Sequence, residues 1–160
     1  MATIHIVHGY IAFGKTTLAK KLAAELPAVH LDVDEWIVAL YGKHLSDKEL
    51  DDKFHIVVDF LWQMARKIIY AGSDVIMDIG PWSRKMRQDA AKKAYDITPN
   101  VVFHTIILDL KIARCRLIER NKKSPIMDAS TVAFFDEYLS LYEPISDDEG
   151  FVVKRYYQSE

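Results

Sequence analysis

The sequence holds a single cysteine, Cys115, no apolar run approaching the roughly 20 residues that cross a bilayer, and almost no excess of either charge. One thiol cannot close an internal disulfide, and nothing resembling a secretory leader precedes the first strand-like run, Thr3 to Val7, so the expected compartment is the cytoplasm. Lys and Arg number 21 against 23 for Asp and Glu, a formal charge of −2. No global field then draws the chain to nucleic acid or to an anionic membrane, and any anion binding must be local. Internal repeats, low-complexity tracts and linkers are missing too. The 160 residues, half of them apolar, suit one domain with a real core.

What is present is an alternation. Short β-branched runs are followed by longer segments whose apolar residues recur every three to four positions, which predicts an α/β fold with a parallel sheet covered by helices. Strands are expected at Thr3–Val7, Ala28–Leu31, Asp74–Met77, Val101–Leu108 and Phe151–Tyr156. Helices are expected at Lys15–Leu26, Asp47–Ala71, Ser83–Tyr95, Lys111–Asn121 and Ala129–Tyr142, with a short helical turn at Glu35–Tyr41. The longest carries an apolar stripe from Leu50 through Phe54, Leu61 and Ala65 to Ile69, which reads as core packing. Ser46 and Glu49 form a capping box at its start, and Gly72 ends it.

The chemistry begins at HGYIAFGKTTLAKKL, His8 to Leu22. Gly9 to Thr16 has glycine, four residues, glycine, lysine and threonine, placed between a predicted strand and a predicted helix, which is the context in which this spacing binds phosphate. Glycines at 9 and 14 let the backbone turn and approach an oxyanion. The amides of Tyr10, Ile11, Ala12, Phe13 and Gly14 then form an anion nest, to which the helix N-terminus adds partial positive charge. Lys15 is expected to reach the β- and γ-phosphates, the Thr16 hydroxyl to hold Mg2+, and Thr17 to contact the α-phosphate. Phe13 is bulky where such loops carry something small. Its ring is expected to point away from the phosphates, toward solvent or the nucleotide base, unless the position is merely tolerant because only its backbone matters.

Carboxylates follow at strand ends. In LDVDEW, Asp32 and Asp34 close the second predicted strand, on the side where an open parallel sheet faces its ligand. Either acid could accept or orient the proton of an attacking hydroxyl, and Asp34 is the first choice; otherwise Asp34 caps the Glu35–Tyr41 turn. Asp78 ends VIMD and is expected to hold Mg2+ with Thr16. After it, IGPWSRKMR breaks the chain at Gly80 and Pro81, which places Trp82 and Arg84 near the crevice, whereas Lys85 and Arg87 read as a solvated basic face. In ARCRLIERNKKSPIMD, Arg116 and Arg120 share one helix face and are candidate nucleotide or transition-state contacts. The polar stretch that follows, near 121–128, is a candidate short lid. The six histidines lie at no zinc-like sequence spacing, and Cys115 reads as a buried small hydrophobe.

Together, HGYIAFGKTTLAKKL, LDVDEWIVALYG, VIMDIGPWSRKMR and CRLIERN resemble the small P-loop kinases that include chloramphenicol phosphotransferase, zeta toxins and the kinase domain of polynucleotide kinase. The resemblance spans nearly the whole chain in order. It implies a three-layer P-loop NTPase fold with a five-stranded parallel sheet of order 2-3-1-4-5, ATP with Mg2+ as donor, and Arg120 as the lid arginine. Likeness to chloramphenicol phosphotransferase maps the base onto Asp34, and likeness to zeta toxins maps it onto Asp32. The expected activity is transfer of the γ-phosphate of ATP to a hydroxyl of a small molecule, such as an antibiotic or a sugar-like or nucleoside-like metabolite. Trp36 and Tyr41 could line a pocket for a ring, with a core role for Trp36 as the alternative. A nucleic-acid 5′-hydroxyl kinase is disfavoured because the basic clusters Arg84–Arg87, Lys92–Lys93 and Lys122–Lys123 make a thin channel. A nucleotide-binding regulatory or toxin-like module is the remaining rival.

Overall fold

In the computed structural model, residues 1–123 and 130–159 are described. Five parallel strands, β1 (Ile4–His8), β2 (Ala28–Asp32), β3 (Asp74–Asp78), β4 (Val101–Ile107) and β5 (Val153–Tyr157), form one sheet of order β2-β3-β1-β4-β5. Among the described residues six α-helices accompany them: α1 (Lys15–Glu25), α2 (Val33–Tyr41), α3 (Asp47–Tyr70), α4 (Arg84–Tyr95), α5 (Leu110–Lys123) and α6 (Ser130–Tyr138). This is the α/β P-loop fold with the expected order. Every residue of β1 is buried, as a central parallel strand with both faces covered requires.

The period of two along each strand divides the core into two layers. Ile4, Ile6, Val75, Met77 and Phe103 pack against Val57, Leu61 and Ala65 of α3 and Ala90, Ala91 and Ala94 of α4. Val7, Ile76 and Ile106 face the other way, onto Leu18, Ala19 and Leu22 of α1, Leu117 of α5 and Phe135 of α6. A fully buried side chain such as Leu61 contributes about 1.5–3 kcal/mol by leaving water. One polar row interrupts this second layer. Tyr156 OH lies 2.8 Å from His104 Nδ1, His104 Nε2 lies 2.9 Å from His5 Nδ1, and His5 Nε2 lies 3.5 Å from Asp74. A carboxylate only accepts, so His5 Nε2 carries a proton; burial lowers both imidazoles, and with both neutral each proton in the row points from Tyr156 toward Asp74.

Boundaries moved where a side chain made the first hydrogen bond. The α2 helix starts at Val33, not Glu35, because Asp32 Oδ1 accepts from the amides of Asp34 at 2.9 Å and Glu35 at 3.2 Å. Asp34 is therefore not the cap. The capping box of Ser46 and Glu49 opens α3 as expected. Phe151 precedes β5 and stacks on Phe103, with ring centroids 4.4 Å apart. Of the expected lid at 121–128, residues 121–123 continue α5 and the others lie outside the described residues. No helix among the described residues is long and apolar enough to cross a membrane.

Candidate active site

The loop from Gly9 to Gly14 joins the buried end of β1 to α1. Gly14 is the N-cap of α1 at φ 91°, with no side chain capping the helix, so the first-turn amides carry no side-chain acceptor. Ala12 also adopts the left-handed region, at φ 60°, which folds the loop back on itself. Lys15 arches over the loop, its Nζ donating to the Tyr10 carbonyl at 3.0 Å. The Phe13 amide donates to the same Tyr10 carbonyl at 3.2 Å, and the uncapped helix N-terminus with a cation beside it is an arrangement suited to an anion such as a polyphosphate.

The loop side chains are anchors. Tyr10 is fully buried and its hydroxyl donates to the Phe135 carbonyl at 2.6 Å; burial pushes the phenol up to about 12. Phe13, expected to face solvent or a base, is 2% exposed and packs edge-on against Tyr10 and Tyr142. The outer face of the loop lies over the second core layer, so a large apolar residue gains more there than in water. Ile11 and Ala12 pack on the same layer. A Cβ on Gly9 would stand 3.3 Å from Phe13, so the small residue at one position admits the large one at the other. Only backbone from Gly9 to Gly14 is left for phosphate.

Beyond the loop, three acids converge. Asp32 and Asp78 are opposite one another in the β2–β3 register, and both are buried. The Thr16 hydroxyl donates to Asp78 Oδ2 at 2.9 Å. These two oxygen donors suit a hard cation such as Mg2+. Asp34, one residue into α2, is exposed, yet desolvation, then Asp32 and then Asp78, raise its carboxyl above the usual range. Asp32 is raised by burial and by Asp78, with the α2 amides pulling against them. Burial lowers Lys15; Asp78, Asp34 and Asp32 resist this and Arg120 reinforces it. The fields of these five side chains thus overlap at one end of the loop.

The remaining basic residues separate. Arg116 donates to Gln158 Oε1 at 2.8 Å, and a Cβ on Gly14 would lie 3.5 Å from Gln158 Nε2, so the stretch after β5 reaches the loop. Gln158 carried no sequence signal. Arg114 pairs with Asp136 and Arg84 with Asp148. Arg87 is not part of a solvated face: it is fully buried, with Nε and Nη2 on Glu149 at 2.8 and 2.6 Å. Its Nη1 reaches His8 Nε2 at 3.1 Å and the carbonyls of Trp82 and Glu143. Since arginine only donates, His8 is neutral and its Nδ1 proton faces Thr105 Oγ1 at 2.8 Å. Burial, with Arg87 and Lys15 adding to it, pushes His8 down to about 3. The buried stripe Arg87–Ala90–Ala91–Ala94 was the available signal, since these positions share one helix face. Trp82 packs on Tyr10, Phe134 and Tyr138, and Trp36 packs on Phe60 and the first core layer. Cys115, expected to be buried, is exposed, because it lies on the outer face of α5.

A family model described as an AAA domain matches residues 4–145. No curated protein matches the chain in sequence. Among solved structures, the chain is similar to a protein from Chloroflexus aurantiacus described as a kinase, with TM-score 0.72 and 17% identity, over 98% of this chain and 88% of that one. An unliganded sugar kinase from Janibacter sp. HTCC2649 gives TM-score 0.63 and 18% identity, over 98% and 86%. A chain of the Pnkp1/Rnl/Hen1 RNA repair complex gives 0.65 and 16%, over 88% and 47%. At such identities the likeness establishes the shared fold.

Proposed function

Because the chain belongs to the AAA-domain family, whose model matches residues 4–145, we propose that it is a small kinase moving the γ-phosphate of ATP, with Mg2+, to a hydroxyl of a small molecule. The carrying observation is that Thr16, next to the loop lysine Lys15, donates to Asp78, with Asp32 opposite Asp78 in the strand register and the Asp34 amide bonded to Asp32. The loop amides from Gly9 to Gly14, with Thr17 beyond them, bind the phosphates. Lys15 and Arg120 draw charge off the migrating group, and Arg116 steadies the nucleotide. Thr16 and Asp78 would hold the metal, which when bound neutralises phosphate charge.

Asp34 acts as the base. Asp32 Oδ1 is engaged by two α2 amides, whereas Asp34 is open to solvent, and its raised proton affinity makes it a better acceptor for a hydroxyl proton. Val38 and Tyr41 follow Asp34 on the same face of α2 and are exposed, which gives the acceptor an apolar wall. The sugar kinase among the structural neighbours accords with a small hydroxyl-bearing acceptor. The nucleic-acid reading loses support because Arg84, Lys85, Arg87 and Lys93 each pair with an acid.

The test is a screen of hydroxyl compounds with γ-labelled ATP. Label appearing in one compound class supports the proposal; release of free phosphate alone across the panel overturns it in favour of a regulatory ATPase module.

A further inference from the structure

His30, on β2 two residues before Asp32, lies on the same strand face and beside the acids. Its Nε2 is buried without a hydrogen-bond partner among the described residues, and it stands 3.5 Å from Asp78 Oδ2 without forming a hydrogen bond to it. One donor atom from each of His30, Asp32 and Asp78 lies within 4.8 Å of the others. For metal–ligand bonds of about 2.1 Å, tetrahedral donors sit about 3.4 Å apart, close to the spacing observed between imidazole and carboxylate. Two neighbouring buried carboxylates, with Lys15 Nζ turned to the Tyr10 carbonyl, leave a locus that a dication would neutralise. Of Asp32, only Oδ1 is engaged by α2.

We propose that His30 Nε2, Asp32 and Asp78 form a site for a borderline dication of the Mn2+ to Zn2+ series, one that fills without nucleotide. An imidazole ligand beside two carboxylates disfavours Mg2+, which prefers oxygen and near-octahedral geometry, and favours metals that accept nitrogen. The site shares Asp78 with the Mg2+ ligands suggested above but does not depend on the kinase reading, since it needs neither the phosphate loop nor a substrate.

Co2+ is the probe, added to the whole protein without nucleotide and followed by its visible d–d absorption and by calorimetry. One equivalent should bind, raise the thermal midpoint, and resist competition by excess Mg2+. His30→Ala and His30→Gln should each weaken binding by about tenfold or more and let Mg2+ compete. Substoichiometric binding, or equal affinity in both folded His30 variants, would overturn the site. Calorimetry with ATP on the same samples separates the two readings: Co2+ binding without ATP binding sinks the kinase proposal and leaves this site standing.

Discussion

Two clusters of buried charge flank the phosphate loop, and they are built on opposite terms. Around Arg87, every group is answered: the guanidinium has Glu149, His8 and main-chain carbonyls, and the hydrogen bonds from Arg87 bring Glu149 below the usual range although burial alone would raise it. Around Lys15, the groups work against one another: Asp32 and Asp34 are raised, Lys15 is lowered, and His30 Nε2 has no hydrogen bond. A satisfied cluster holds β1, α4 and the segment after α6 together. A frustrated one is poised to take up charge, which is what a binding and catalytic site needs.

Substitutions should separate the two. Asp34→Asn should lower turnover by about 10²–10⁴-fold while ATP still binds and the fold is unharmed; full activity would remove the proposed base. Arg87→Met strands a buried Glu149 and should cost about 3–5 kcal/mol in urea unfolding, while the double change to Arg87→Met with Glu149→Leu should recover much of that loss. If the single variant is as stable as wild type, the Arg87 cluster is not a structural clasp.

Acid discriminates them as well. His8 and His104 are held near 3 and 4, below the ordinary 6.5, so the unfolded chain binds protons that the folded one refuses. Their contribution is complete above that ordinary value and is lost as pH falls from it toward the folded values, by about 2 kcal/mol for each imidazole near pH 5. Asp32 and Asp34 act with the opposite sign, since burial and the charge of Asp78 make protonation easier in the folded chain. A urea midpoint that does not drop between about pH 7.5 and 5 would contradict the neutral histidines.

Smaller effects refine the loop. Gly9→Ala should cost about 1–3 kcal/mol, from the φ of 157° at Gly9 and from a new methyl 3.3 Å from Phe13 Cβ and Cδ2, and Phe13→Leu in the same chain should relieve only the share that comes from the ring. Thermal melts of the three variants would show that coupling. Cys115→Ser, on the open face of α5, should change stability by less than about 0.5 kcal/mol, and alkylation of the native thiol should proceed without unfolding.

Much of the fold was legible because it rests on local periodicity. The Gly9–Thr16 spacing, the α3 stripe and the strand-terminal acids each lie within a few residues, and the element order with its implied sheet order matches the structure. What failed to show were contacts between distant segments. Arg87 looked solvated because its partner lies 62 residues away, Gln158 beside Gly14 has no local pattern, and His30 meets Asp78 only through the β2–β3 register. Phe13 turns into the core rather than toward solvent or a base, because the apolar layer that receives it comes from α6 and the turn after it.

The amino-acid order alone therefore determined which segments are strands and helices and where the glycine loop stands between them, since hydrophobic period and glycine placement act over one turn or one strand. Only the folded chain decided which charges are silent and which are reactive. That distinction depends on what stands within a few ångströms in space, and burial multiplies the consequence of each such neighbour.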